Sequence, residues 1–289
     1  MANDIISVLQ AELASFSKGQ RRIAQYIIDE YNKAAFMTAA RLGQTVGVSE
    51  STVVRFAVSL GYDGYPAMQK AMQEMVLNRL TSVQRIEVAS DRLGDQDIIS
   101  MVLHSDMEKL RRTEETVDRD QFSAAVNAIL KAKRIYILGV RSAAPLANFL
   151  GYYLNYMFNN VNVISGFSAG EMFEKIVGIT SEDVVVSFSF PRYSSSTIKG
   201  SRYCRSTGAT VIGITDSAQS PLAQCCDHVL LAKSDMVSLV DSLVAPLSVV
   251  NALIVAVASK REKELARTFD TLERIWDEYE VYEKNEKTS

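Results

Sequence analysis

The sequence predicts a two-part fold. An all-α N-terminal region holds a helix–turn–helix, and an α/β region follows with a doubly wound parallel sheet of five strands. Three observations carry this expectation. Residues 1–78 show helical periodicity and no β-pattern. The stretch from Thr38 to Phe56 reads as two short helices about a glycine turn. From residue 120 onward, short apolar runs alternate with segments of helical length, the pattern of parallel strands joined by helical crossovers.

In the N-terminal region, Lys18-Gly19-Gln20-Arg21-Arg22-Ile23-Ala24-Gln25-Tyr26-Ile27-Ile28 predicts an amphipathic helix with Ile23, Tyr26 and Ile27 inward. In the helix pair, Gly47 supplies the turn, because glycine takes left-handed dihedrals without steric cost. Ser49 is a good N-cap for the second helix. With successive residues about 100° apart, Val53, Phe56, Ala57 and Leu60 fall on one side. Ser51, Thr52, Arg55 and Ser59 fall opposite. That second face is small and polar and carries one fork-shaped cation, which suits a helix lying in the major groove of DNA. Gly61-Tyr62-Asp63-Gly64-Tyr65-Pro66 closes the helix with glycine just past its end.

Residues 79–118 are polar and charged and read as a linker that becomes a helix over Ile98–Thr113. Five strands are expected at Arg134–Leu138, Val161–Ile164, Val184–Phe188, Thr210–Ile214 and His228–Leu231, with right-handed crossovers. Residues 238–259 predict a long apolar helix from Leu239 to Ala258, interrupted by Asp241 and Asn251. The tail from Arg261 is a charged helix anchored by Trp276, with its acidic residues concentrated in Glu273–Glu286. The expected domains are 1–78, a linker over 79–118, a sheet domain over 119–260 and a C-terminal helix over 261–289.

Composition narrows the function classes. Apolar residues make 47% and charged residues 22% of the 289, as in ordinary globular chains. No apolar run reaches the roughly eighteen residues of a membrane helix, and the N-terminus lacks a secretory pattern, so the expected location is the cytoplasm. Cys204, Cys225 and Cys226 have no metal-ligand spacing and read as free thiols in a reducing compartment. The net charge of −3 gives no general attraction for nucleic acid, and the charges of the first 80 residues nearly cancel. Phosphate contacts must come from a local set, with Arg21, Arg22, Arg41 and Arg55 as candidates, together with N–H groups at helix starts such as the one capped by Ser49. One such weakly basic module has little affinity alone, so two copies on an inverted repeat are expected, hence a homodimer or larger.

Residues 15–75 resemble the N-terminal domain of the RpiR/MurR family of bacterial transcriptional regulators. The matching residues are the helix at Gln20–Ile28, the run from Gly47 to Phe56 and the close Leu60-Gly61-Tyr62-Asp63-Gly64-Tyr65. The resemblance implies a regulator of carbohydrate-metabolism genes with double-stranded DNA as one partner. It also implies a sugar-isomerase-like (SIS) domain that binds a phosphorylated sugar, and no cofactor or metal.

The second half can be tested against that implication. In open parallel sheets, ligands sit beyond the carboxyl ends of the strands. After the first strand comes Gly139-Val140-Arg141-Ser142, where Gly139 permits a sharp turn and Ser142 is expected to cap the next helix. After the third comes Ser187-Phe188-Ser189-Phe190-Pro191-Arg192-Tyr193-Ser194-Ser195-Ser196-Thr197. Four hydroxyls in a row at a helix start form an anion cradle, and Arg192 adds a two-pronged cation. Residues 120–260 resemble the SIS domain through these loops and through Gly208–Asp216 followed by Ser220-Pro221-Leu222-Ala223. The family's phosphate loop often reads serine, any residue, serine, glycine, any residue, threonine, and here Phe190-Pro191-Arg192-Tyr193-Ser194 replaces the glycine portion. The expected ligand contacts are Gly139, Arg141, Ser142, Ser187, Ser189, Arg192, Tyr193, Ser194, Ser195 and Ser196.

The competing class is a sugar-phosphate isomerase on the same fold, which needs a positioned base and acid. Only His104 and His228 exist, one in the linker helix and one opening a strand. Glu171 and Glu174, after Ser168-Ala169-Gly170, are the carboxylates nearest a plausible pocket mouth. The fused helix–turn–helix favours the regulator.

Overall fold

The structure is a computed structural model that describes residues 5–79, 97–166, 168–234 and 240–282. The chain divides into two compact units, Met1–Arg92 and Leu93–Ser289.

The first unit is helical throughout its described residues. Its elements are α1 (Ile5–Glu12), α2 (Lys18–Asp29), α3 (Tyr31–Ala34), α4 (Ala39–Val46), α5 (Glu50–Ser59) and α6 (Tyr65–Arg79). Hydroxyl side chains start three of them: Ser17 with a capping box on Gln20, Thr38 bonded to the Arg41 N–H, and Ser49 bonded to the Thr52 N–H. Gly47 ends α4 at φ 69°, and its N–H and that of Val48 both reach the Gly43 carbonyl. Ile23, Ile27, Leu42, Val53, Phe56, Met68 and Met72 fill the core, and Phe16 meets Phe56 edge-on with centroids 5.3 Å apart. Tyr26 is only half-buried at the margin of this core.

The second unit opens with α7 (Ile98–Thr116) and α8 (Arg119–Lys131). The sheet follows: β1 (Ile135–Leu138), β2 (Val161–Ile164), β3 (Val184–Phe188), β4 (Thr210–Thr215) and β5 (His228–Leu231). All neighbours are parallel, in the order β2-β1-β3-β4-β5. The crossovers are α9 (Ala144–Leu154), α10 (Ala169–Ile176) and α11 (Ser195–Ser206), and α12 (Val244–Lys260) and α13 (Glu262–Glu278) end the chain. Because both faces of β1, β3 and β4 are covered, these strands read as unbroken apolar runs.

Three sequence expectations are corrected. The helix expected over Ile98–Thr113 runs to Thr116 and packs within the second unit: the Thr113 hydroxyl accepts the Lys233 N–H at 2.9 Å, and Asp106 accepts the Ser242 hydroxyl at 2.6 Å. It is part of the sheet unit rather than a bare connector. Residues 80–96 of the expected linker lie outside the described residues, as do Leu239 and the tail beyond Tyr282. The apolar helix begins at Val244, after an irregular stretch in which Val240 is 70% exposed and Ser242 and Asp241 are half-buried. Ser142 caps nothing. It lies inside a 3-10 turn, Arg141–Ala143, and α9 starts from Ala143 without a side-chain cap. Trp276 packs on Phe269 of the same helix and on Tyr282 just beyond it, and it is Phe269 that meets Tyr156 outside α13, at a centroid distance of 5.2 Å. Among the described residues, no single helix is long and apolar enough to cross a membrane.

Candidate nucleic-acid and ligand sites

The helix–turn–helix residues separate as the wheel predicted. Val53, Phe56 and Ala57 are fully buried, Leu60 and Thr52 are half-buried, and Ser51, Arg55 and Ser59 are exposed. The first turn of α5 is a hydroxyl cluster: Ser49 Oγ lies 2.9 Å from Ser51 Oγ and 2.8 Å from Thr52 Oγ1. Ser59 donates to the Phe56 carbonyl at 2.7 Å and accepts from Gln20 at 3.4 Å, tying α5 to α2.

The four candidate arginines have different settings. Arg21 wraps the α1–α2 turn, donating to the carbonyls of Leu13, Ala14 and Phe16 at 3.0–3.3 Å. Arg22 donates to the Gly47 carbonyl at 3.1 Å and so fastens the turn between α4 and α5. Arg41 and Arg55 are exposed, on α4 and α5. Sequence reasoning missed two members of this face, Val54 and Val58, which are 37% and 56% exposed. The helical angle could have found them.

In the second unit, topology locates a crevice. α9 leaves β1 toward β2, α11 leaves β3 toward β4, and β1 and β3 are neighbours with Leu138 opposite Ser187. The strand order reverses there, and such a switch point opens a crevice at the carboxyl ends. The two serine-bearing loops start at those two ends. Each contains an arginine in the left-handed region, Arg141 at φ 59° and Arg192 at φ 63°. A non-glycine residue held there stores strain, and such residues cluster at ligand sites.

The cradle has exposed and hidden members. Ser187 is fully buried and accepts the Ser201 hydroxyl at 2.7 Å, so it lies beneath the loop. Ser189 is buried too. Its hydroxyl accepts the Ser194 N–H at 3.1 Å, and its carbonyl accepts the Thr215 hydroxyl at 2.8 Å. Ser194 caps α11 through the Thr197 N–H, which leaves the first-turn N–H groups of Ser195 and Ser196 without an intrahelical acceptor. Arg141, Ser142, Arg192 and Ser195 are exposed, and Tyr193, Ser194 and Ser196 half-buried. The Tyr193 hydroxyl donates to Asp216 at 2.9 Å, closing the loop onto the end of β4. Gly139 is needed for close packing rather than for a left-handed turn: a Cβ there would meet Ala147 Cβ at 2.9 Å and the Ala143 carbonyl at 3.0 Å.

Of the groups weighed for catalysis, Glu171 and His104 are bonded locally, whereas the buried Nδ1 of His228 meets no hydrogen-bond partner among the described residues. The Glu171 carboxylate accepts the Ser168 N–H at 2.8 Å in a capping box, and that bonding from Ser168 holds its carboxyl below the usual range. The His104 ring meets the Ser100 carbonyl of its own helix at 2.6 Å. His228 opens β5 half-buried. All three cysteines are buried and free. Burial pushes the Cys204 thiol up to about 12, whereas the adjacent Cys226 draws the Cys225 thiol below its usual range. Among the described residues, no group of three or more His, Cys, Asp or Glu side chains could hold a metal ion.

Comparison with known proteins agrees with this division. Residues 3–78 match the family model for the helix-turn-helix domain, rpiR family, and residues 128–256 match the SIS domain. The chain is 23% identical to the HTH-type transcriptional regulator HexR of Pseudomonas aeruginosa over 89% of this chain and 90% of that protein. It is 25% identical to HexR of Escherichia coli over 76% and 75%. The sugar isomerase domain of an RpiR transcription factor from Sphaerobacter thermophilus superposes with a TM-score of 0.59 at 27% identity, over 62% of this chain and 99% of that one. The Vibrio vulnificus NanR protein, complexed with ManNAc-6P, has the same fold over 94% and 97% of the two chains, with a TM-score of 0.58 at 20% identity. With an rpiR-type helix–turn–helix joined to an SIS domain, and relatives that are regulators rather than enzymes, this chain is a member of the RpiR family of transcriptional regulators.

Proposed function

We propose that this regulator grips an inverted-repeat operator as a homodimer in the cytoplasm and that a phosphorylated sugar in the β1/β3 crevice alters that grip. The reading head is residues 1–78, the sensor is residues 119–260 with α7 held in the same unit, and the closing helix is 261–289. On the head, Ser49, Ser51, Thr52, Arg55 and Ser59 face the groove, and Arg21, Arg22 and Arg41 lie against phosphates. On the sensor, Arg141 and Ser142 meet the ligand from one loop, and Arg192 to Ser196 from the other. The observation that carries this reading is the topological switch point between β1 and β3, flanked by two arginines at positive φ and the first turn of α11. The shared fold with NanR, whose structure holds a phosphorylated amino sugar, supports the ligand class. A second copy has a surface to meet: Ile98, Ile99 and Leu103 of α7 and Val255 of α12 are each more than half exposed.

The test is selection of genomic DNA fragments by the full chain, followed by titration of the recovered operator with a panel of sugar phosphates. One of these should change operator affinity. The double variant Arg192→Ala/Ser194→Ala should lose that response and keep its affinity without ligand. A double variant that responds with wild-type sensitivity places the effector elsewhere.

A further inference from the structure

The outward side of α5 carries more than its polar residues. With about 100° per residue, the outward arc runs Val54, Val58, Ser51, Arg55. The two valines stand one helical turn apart and are 37% and 56% exposed. Scattered surface aliphatics are ordinary, but this pair has a particular setting. Val53, Phe56 and Ala57 already close the core beneath α5 at 0% exposure, so the fold does not require the valines. The hydroxyls of Ser51 and Thr52 are drawn into the Ser49 cap, and that of Ser59 binds the Phe56 carbonyl. The polar groups of the face are therefore partly committed to the helix itself. What the middle of α5 presents outward is one guanidinium and two branched aliphatic surfaces.

In the major groove, the one apolar feature on a base edge is the C5-methyl of thymine. We propose that Val54 and Val58 are specificity-determining residues that read thymine methyl groups in the operator. The inference rests on α5 being the helix that enters the groove. Four residues advance a helix by about 6 Å, against about 3.4 Å per base pair. The valines thus address positions one or two base pairs apart within each half-site, next to whatever Arg55 contacts. A methyl buried against a valine contributes about fourfold in affinity.

The test uses the full-length protein and the operator recovered from genomic fragments. Each thymine of a half-site is replaced singly by deoxyuridine, which removes only the methyl. Wild-type protein should lose about fourfold at one or two thymines. In Val54→Ala or Val58→Ala, that penalty should fall below about twofold at the matching thymine and stay unchanged at the other. Alanine favours helix and the sites are exposed, so both variants should keep the wild-type circular dichroism. If no thymine is sensitive, or if both alanine variants keep the full penalty, the valines do not read methyls, while retained operator binding leaves the DNA-binding reading intact. Failure to prefer any fragment over bulk DNA overturns that reading and this inference together. Normal operator affinity in both alanine variants, with loss of transcriptional control in cells, assigns the valines to a protein partner and also overturns the proposal.

Discussion

Replacing Gly47 by alanine should loosen the helix–turn–helix in a way that separates into two physical parts. The first is dihedral. Gly47 sits at φ 69° and ψ 48°, where an L side chain costs about 1–2 kcal/mol. The second is contact. A Cβ at Gly47 would lie 2.6 Å from Arg22 Nη2, while Arg22 Nη1 donates to the Gly47 carbonyl at 3.1 Å. The guanidinium is the far end of a flexible side chain, so it swings away and the clash itself is cheap. What is lost is an exposed hydrogen bond, about 0.5–1 kcal/mol. The sum is about 2 kcal/mol, or roughly thirtyfold in the opening equilibrium of α4 and α5. Amide hydrogen exchange reads this directly at the Val53, Phe56 and Ala57 N–H groups, whose side chains pack in the first unit's core. They should exchange roughly thirtyfold faster in Gly47→Ala. Arg22→Ala removes only the hydrogen bond and should accelerate them by about threefold. Asparagine tolerates the left-handed region better than alanine, so Gly47→Asn should fall between the two. Equal exchange in wild type and Gly47→Ala would falsify the claim that the left-handed turn holds the two helices together.

The remaining predictions concern the second unit. Asp183 has a fully buried carboxylate; burial raises its pKa, but the bonds from Arg134 at 2.6 Å and from Thr180 outweigh this and hold it below the usual range. Its stabilisation is therefore complete above the unfolded value, near 4, and is lost as pH falls through the depressed folded value. Asp183→Asn should cost about 3 kcal/mol at pH 7, read by urea unfolding through the fluorescence of Trp276, the chain's one tryptophan. A gap from wild type that stays constant down to strongly acid pH contradicts this assignment. Thr113→Val removes the hydroxyl that accepts the Lys233 N–H at 2.9 Å. It should weaken the coupling between sugar and DNA, measured as the ratio of operator affinities with and without ligand, while sugar affinity in the absence of DNA changes little.

Much of this architecture was legible because its signals are local. The three central strands, β1, β3 and β4, are short apolar runs covered on both sides, and a buried parallel strand has no alternation to obscure it. Ser49, Ser168 and Ser194 each start a helix as their residue type favours. Ser142 looked like the same signal and was not. Arg141 is held at a positive φ by its surroundings, the chain turns as a 3-10 segment, and the helix start moves past the serine. No local preference of arginine announces that conformation. The same holds for Arg192, which takes a left-handed dihedral that glycine would adopt freely. The burial of Ser187 was equally hidden, since its partner Ser201 is fourteen residues away on α11. Val54 and Val58 were overlooked for another reason. Reading for hydrogen-bonding groups passes over aliphatic residues on a polar face, although their angle on the helix was already fixed.

The proposed effect of a crevice ligand on the reading head has a candidate route in the second unit, a chain of contacts from the serine-rich loop to α7. The serine-rich loop is fastened to the end of β4 by Tyr193, whose hydroxyl donates to Asp216. The Asp216 carbonyl accepts from Lys233 Nζ at 3.4 Å, and the Lys233 N–H donates to Thr113 on α7. α7 is the first described element of the second unit, and the loop is joined to it through Lys233, which follows β5. Spatial continuity does not by itself amount to coupling. It becomes coupling only if the loop has two arrangements that bind sugar differently and α7 follows them. Linkage then fixes the accounting: whatever factor the sugar applies to DNA affinity, DNA must apply to sugar affinity. Cutting the path at Thr113 must weaken both by the same factor, because the two measurements report one free energy. A Thr113 variant that keeps the wild-type coupling factor would show that α7 is held by this bond but does not carry the signal.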